Sequence, residues 1–319
     1  MTVQGSYSDW ADVASGVPQG SVLGPVLFVI FINDLPEGVK SWCAMYADDT
    51  KISSSVETAE SRNTLQNDLD KLVEWADKWQ LRFHTGKCKI IHLGTKNVQQ
   101  SYTMKNHNSD ERVTLQTTYN EKDLGVEVDN ELKFSKHIET QVSKANRILG
   151  QIRRSFQFLD VETMRQLFTS LVRPHLEYAN VVWAPRMKKD INLIEGVLRR
   201  ATKMIPGMKD QEYHQILEKA KIPSMKYRRE RGDMIEVYKF THGFYNTPPP
   251  FTLEKDSNTR GHQYKIKKSR PNHNLRQSYF SVRVVNAWNS LPCSLVNVET
   301  INGFKNGLDR LWKDKLYCE

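Results

Sequence analysis

Two carboxylates, Asp48 and Asp49, stand side by side in the stretch MYADDTKISSS at residues 45–55. Ala44 to Ala47 before them read as a buried strand, and Thr50, Lys51, Ile52 and Ser53 after them alternate as a half-buried strand does. The pair therefore falls at the tip of a predicted hairpin. Adjacent strand residues face opposite ways, but at a turn one acid can enter a site while the other supports it. Oxygen ligands suit a hard divalent cation such as magnesium, which is held by one or two carboxylates plus substrate phosphates. Phosphoryl-transfer enzymes use two such ions to stabilise the attacking and leaving oxygens. The alternative is an acidic turn without further role, since aspartate is common in turns.

The elements around this pair follow from periodicity. Gly16, Pro18 and Gly20 mark a turn, and Leu23, Val26, Leu27, Ile30 and Phe31 then recur at helical spacing. Contiguous apolar residues at 27–30 predict a helix buried nearly all round. Residues 58–79 predict an amphipathic helix with Leu65, Leu69, Leu72, Val73, Ala76 and Trp79 on one stripe. KIIHLG at 89–94 reads as a strand, 97–112 as loop, and YNEKDLGVEVDNELKF at 119–134 as a hairpin turning at Asp129-Asn130. From about residue 136 the pattern changes to long helices, clearest in HIETQVSKANRILGQIRRS and VETMRQLFTSLVRPHLEYANVVWA. Residues 246–272 are rich in Pro, Lys and Asn and predict loop or linker, followed by short elements and a final helix.

Charge is unevenly placed. The 319-residue chain carries a net charge of +9, yet residues 1–100 hold 12 acidic and 9 basic side chains, so the excess lies beyond them. A basic tail suggests a polyanionic partner, or simply a solvated basic surface. The sharpest stretch runs from Arg260 to Arg283. It holds Lys265, Lys267, Lys268, Arg270 and Arg276 with no acid, interleaved with Tyr264, Tyr279 and Phe280. Bases with aromatics suit single-stranded nucleic acid, and a basic linker or localisation signal is the alternative. Cys43, Cys88, Cys293 and Cys318 show no CxxC spacing and read as reduced thiols of a cytoplasmic or nuclear protein. The first residues show no secretory signal, and the longest apolar stretch, Val26 to Ile32, is too short to cross a membrane.

Four blocks occur in order: SGVPQGSVLGPVLFVIFINDLP, MYADDTK, LVEWADKWQLRFHTGKCKIIHLG and DLGVEVDNELKFSKHI. Across residues 15–138 they closely resemble the reverse transcriptases of non-LTR (LINE-type) retrotransposons, Jockey- and CR1-like elements among them. The resemblance implies an α+β fold: a partial polymerase palm, a small antiparallel sheet with helices, followed by a helical thumb and a basic C-terminal extension. Its boundaries would be 1–95 for palm, 96–135 for the palm and primer-grip hairpin region, 136–245 for thumb and extension, and 246–319 for the basic region. It also implies Mg2+, an RNA template, a DNA primer and deoxynucleoside triphosphates, with no membrane partner.

Residue by residue, Asp48 matches the principal metal ligand and Asp49 the adjacent acid. Tyr46 and Ala47 match the positions beside the primer end. Gln19 and Gly20 match the block that positions template and incoming nucleotide, where glycine permits close backbone approach and glutamine offers both donors and an acceptor. Taken alone they read as an ordinary turn at a helix start. Lys87 matches a lysine able to neutralise or protonate the leaving pyrophosphate, although His84 stands where asparagine is common. Leu124 and Gly125 match the primer-grip hairpin. Basic residues from Lys144 to Lys203 would bind duplex phosphates or form a solvated face.

The family also needs a metal-binding aspartate several tens of residues before the VPQG block, and Asp9 and Asp12 lie too near that turn to supply it. The expectation is therefore a C-terminal part of a longer element that binds nucleic acid without polymerising. A nucleic-acid-binding module keeping only thumb and tail, and a host-adapted protein serving another partner, are the competing readings.

Overall fold

In the computed structural model, which describes residues 2–3, 6–7, 17, 20–94, 96–106, 111–254, 261–270 and 274–318, the chain divides into two units, Met1–Tyr119 and Asn120–Glu319. Both mix helices with short strand pairs, and together they make an α+β protein. Among the described residues no helix is long and apolar enough to cross a membrane.

In the first unit β1 (Thr2–Val3) pairs antiparallel with β2 (Ser6–Tyr7). Helix α1 (Leu23–Ile32) follows, then the hairpin of β3 (Trp42–Tyr46) and β4 (Asp49–Ser53), then α2 (Ala59–Lys78). Helix α2 starts where the sequence puts it because the Thr58 hydroxyl accepts from the Ser61 amide at 3.1 Å. Its stripe reaches two small cores. One gathers Ile32, Leu35 and Leu72 with Phe28, Met45, Ile52 and Trp75. The other gathers Val73, Met104 and Leu115. Short strands complete the unit: β5 (Lys89–Ile90) parallel with β8 (Gln116–Thr117), and β6 (Thr103–Lys105) antiparallel with β7 (Arg112–Thr114).

Two expectations change here. Strand β6 and part of β7 occupy the predicted loop at 97–112, because Met104 finds a buried place beneath α2 that its polar neighbours hide from a periodicity reading. Helix α1 is not buried nearly all round. Leu23, Val26, Val29 and Ile30 are each more than half exposed, and Phe28 and Ile32 carry its contact with the core.

The second unit opens with the hairpin of β9 (Asn120–Asp123) and β10 (Val126–Asp129). The helices follow: α3 (Ser135–Ser155), α4 (Val161–Leu167), α5 (Arg173–Glu177), α6 (Asn180–Trp183), α7 (Lys188–Thr202), α8 (Tyr213–Ala220) and α9 (Met225–Thr241). Then come α10 (Asn274–Gln277), α11 (Phe280–Asn289), α12 (Cys293–Val296) and α13 (Ile301–Leu311). The stripe Ile138, Val142, Ala145, Leu149 and Ile152 of α3 packs on Ile194, Val197, Leu198 and Ala201 of α7 in one core. A second core joins Met234, Val237 and Tyr238 of α9 to Val285 and Trp288 of α11 and Phe304 and Leu308 of α13.

The predicted single helix over 161–184 is broken. Pro174 has no amide to give the preceding turn, and Phe168–Val172 form a π-helical turn closed by the Arg173 amide on the Phe168 carbonyl. Ala179 at φ 52 then separates α5 from α6. The segment predicted as linker is partly buried. Phe251 and Ile266 enter the second core, Leu253 and Ile266 form a β-bridge, and the Asn289 amide bonds both backbone groups of Ile266.

Helix α9 lies between the two cores and is tied by charge. Arg228 forks onto Glu177 at 2.7 Å, Arg231 bonds Asp309, and Asp233 receives Arg283 at 2.8 Å. Burial pushes the Asp233 carboxyl up, and the Arg283 guanidinium opposes that push. Removing one partner of a mostly buried pair strands the other charge. Arg283→Met is therefore expected to lower the unfolding free energy by about 3 kcal/mol, measured by urea denaturation followed by circular dichroism. Asp233→Leu in the same chain should restore part of that loss.

A buried imidazole gives the unit a pH dependence. His137 accepts the Glu127 amide on Nδ1 at 3.1 Å and lies against Trp183. Burial pushes it below the ordinary histidine value of 6.5, with Lys144 adding to the push and Glu127 opposing it. The unfolded chain then binds a proton that the folded chain refuses, so stability is present above about pH 6.5 and declines as pH falls through it. His137→Gln should flatten the part of the melting-temperature profile between about pH 7.5 and 5.5.

Candidate nucleotidyl-transfer site

The register of the first hairpin sets which way its acids face. Trp42 pairs with Ser53, Cys43 with Ile52, Ala44 with Lys51, Met45 with Thr50 and Tyr46 with Asp49. Cross-strand partners share a face, so Met45 and Ile52 lie toward the core while Tyr46 and Asp49 lie on the outer face. Ala47 and Asp48 make the two-residue turn. Ala47 takes φ 52, the left-handed value that hairpin turns of this length use at their first position and that glycine usually fills. Tyr46, Ala47, Asp48 and Asp49 are all exposed, Tyr46 to 68%. A strained turn thus carries two hard oxygen donors into open space above a packed base.

What fixes this hairpin is an aspartate that the sequence reading passed over. Asp68 on α2 is buried and accepts the Lys40 amide at 3.1 Å and the Ser41 amide at 2.8 Å, clamping the approach to β3. Burial alone would raise its carboxyl. Ser41, the Lys40 amide and Lys71 outweigh that and hold it below its ordinary range. An acid within an amphipathic helix looks like a solvated face, so only its two backbone partners, 27 and 28 residues away in sequence, reveal it.

The remaining residues of the sequence reading fall as follows. Gly20 is exposed at φ +87, a conformation that favours glycine, while Gln19 lies outside the described residues. Lys87 is exposed in a turn whose backbone closes on the His84 carbonyl at 2.8 Å. No bond joins it to the acidic hairpin among the described residues. Trp75 meets the core and donates to Asp34 at 3.0 Å, and Trp79 sits at its edge beside Phe31. Asp48 and Asp49 suit magnesium or manganese in donor type. Among the described residues no group of three or more His, Cys, Asp or Glu could hold a metal ion.

The second hairpin turns at Leu124-Gly125, not at Asp129-Asn130. Leu124 at φ 44 and Gly125 at φ 88 are both left-handed, as a type I′ turn requires. Asp129 instead closes the next turn, accepting the amides of Glu131, Lys133 and Phe134 ahead of α3. Tyr178, which the sequence reading missed, braces the hairpin. Its hydroxyl donates to the Leu124 carbonyl at 2.8 Å, and its ring would lie 3.2 Å from a Cβ at position 125.

The basic segment is anchored rather than loose. The Lys267 amide bonds the Thr252 carbonyl at 2.8 Å, and the Lys265 carbonyl accepts from Glu254. Lys267, Lys268, Arg270 and Arg276 are exposed, and Lys265 is half-buried. Arg283, grouped with them by sequence, is engaged with Asp233 and the Val181 carbonyl instead. Arg260 lies outside the described residues.

Residues 2–157 match the family model for reverse transcriptase (RNA-dependent DNA polymerase). Over that stretch, just under half of its length and carrying the exposed aspartate pair on a hairpin, the chain is of the reverse transcriptase family. Its relatives place it with the LINE-type, non-LTR members. It is 30% identical over 224 residues to the RNA-directed DNA polymerase from mobile element jockey of Drosophila funebris, covering 65% of this chain and 23% of that protein. The Drosophila melanogaster jockey polymerase is 26% identical over 223 residues, again 65% of this chain and 23% of that protein. The probable RNA-directed DNA polymerase from transposon BS of Drosophila melanogaster is 28% identical over 223 residues, 64% of this chain and 24% of that protein. The chain thus spans less than a quarter of the length of these relatives. No solved structure matches it significantly.

Gly125→Ala must place a Cβ against the Tyr178 ring at a left-handed φ, and is expected to destabilise the chain by about 1–2 kcal/mol. Tyr178→Phe, which keeps the ring and loses one bond, should cost about 0.5–1 kcal/mol. Urea unfolding of both variants checks this.

Proposed function

We propose that this chain is part of an RNA-directed DNA polymerase that extends a DNA primer along an RNA template. The observation that carries the reading is the exposed Asp48-Asp49 turn, seated on a packed base inside the reverse transcriptase match. Residues 1–95 would be the palm part, 96–135 the hairpin region next to it, 136–245 the thumb and its extension, and 246–319 a basic region.

Asp48 and Asp49 would hold Mg2+, which when bound supplies charge stabilisation at the transferring phosphate. The chain's own residues do the rest. Tyr46 and Ala47 would border the primer end, and Gln19 and Gly20 would belong to the block that positions template and incoming nucleotide. Lys87 neutralises or protonates the leaving pyrophosphate. The Leu124–Gly125 turn, held by Tyr178, grips the primer strand. Lys265, Lys267, Lys268, Arg270 and Arg276 bind phosphates without reading sequence.

Two adjacent carboxylates give a strongly hydrated ion too few oxygens for firm binding. We therefore propose that polymerisation needs a further acidic ligand beyond the described residues, and that this chain alone binds primer–template without extending it. The second reading, a binding module without catalysis, is favoured by the exposed cations of the basic segment.

Purified chain should bind an RNA–DNA primer–template with an affinity that falls steeply as salt rises, because phosphate contacts release counterions. It should add no nucleotide in Mg2+ or Mn2+. Extension that disappears in Asp48→Ala would overturn the inactivity and establish Asp48 as catalytic. Binding indifferent to salt would overturn the nucleic-acid reading itself.

A further inference from the structure

A cavity of about 370 Å³ opens in the second unit where residues 132–134, 181–187 and 275–281 meet beside Pro250. Phe134 stands on one wall, Val181 and Arg186 on another, and Tyr279, Phe280 and Ser281 on the third. We infer that this cavity binds an unpaired nucleobase of a single-stranded nucleic acid. The inference rests on the nucleic-acid reading above and deepens it.

The walls are held before any ligand arrives. The Phe134 amide donates to Asp129 at 2.6 Å, which fixes the first wall at φ 59. The Arg283 guanidinium donates to the Val181 carbonyl at 2.9 Å and to Asp233, and lies 5.5 Å from the centre of the Phe280 ring. One half-buried cation therefore joins two walls. A pocket already shaped costs little conformational freedom on binding.

The occupant follows from size and chemistry. Ligand pockets begin at about 300 Å³, a scale that takes a small flat heterocycle rather than a folded surface. The lining is mainly apolar and aromatic, with hydroxyls at Ser278 and Ser281, an ammonium at Lys133 and a guanidinium at Arg186. No lining residue is acidic. Arg186 is exposed and makes no ion pair among the described residues, so it is available to a phosphate. Tyr279 is 39% exposed and ends the turn that also carries exposed Arg276, its amide bonding the Arg276 carbonyl at 3.2 Å. A π-face beside free cations is the arrangement that holds single strands, since every base can stack and every link carries a phosphate. An aliphatic peptide side chain would use the apolar walls but would leave Arg186 and Arg276 without a partner.

The test uses the full chain and two ligands of equal charge: a uridine oligomer of about 12 nucleotides, and a ribose-phosphate oligomer of the same length without bases. Fluorescence anisotropy at fixed salt should show the base-free oligomer bound about tenfold more weakly. Tyr279→Ala should weaken uridine-oligomer binding by a similar factor and erase the difference between ligands. Tyr279→Phe, which keeps the ring, should retain it, and circular dichroism melting of each variant reports folding separately. If both oligomers bind alike, or Tyr279→Ala matches Tyr279→Phe, the pocket inference fails while the broader reading stands. If neither oligomer binds, both fail.

Discussion

The Arg283–Asp233 pair is the interaction on which the joining of α6, α9 and α11 rests. Asp233 sits on α9 between two apolar cores, where an unpaired carboxylate would be costly. Arg283 answers it from α11 and uses its remaining donors on the Val181 and Ser278 carbonyls. One side chain thereby ties α9, α11 and the α6 backbone. Arg228 with Glu177 and Arg231 with Asp309 repeat the device on the same helix. Such pairs add little net stability compared with apolar packing, but they penalise any arrangement that separates the partners. The cavity beside Tyr279 inherits its shape from that constraint.

The first unit solves a different problem with the same chemistry. It must hold two acids at a tight, strained turn while presenting them to solvent. Met45 and Ile52 give the hairpin an inner face, and Asp68 fixes its entry by accepting two backbone amides. The buried carboxylate supports the strand, and the carboxylates at the turn stay exposed. Identical side chains have different roles because one is saturated by amides and the others are not.

Much of this was legible from the chain. The apolar-to-alternating switch around Asp48 gave the hairpin, and the patterns of α2 and α3 gave helices at close to their observed limits. Local turn chemistry misled at 119–134, where Asp129-Asn130 looked like the hairpin turn. Leu124, an unusual residue for left-handed φ, takes it because Tyr178 holds its carbonyl. That contact crosses 54 residues and leaves no local trace. The continuous helical pattern of 161–184 likewise hid a break, since apolar spacing persists through a π-helical turn that one missing proline amide helps to impose.

The sequence by itself determined the family, the position of the aspartate pair and the basic character of the C-terminal segment. These depend on residue types in order, which need no partner to be read. Tertiary structure alone decided that α1 presents its apolar side chains outward and that Arg283 is a half-buried tie to Asp233 and the Val181 carbonyl. It alone joined residues 134, 181 and 279 around one cavity. Burial and pairing are properties of what lies opposite a side chain, and what lies opposite is set by chain contacts that span tens to more than a hundred residues.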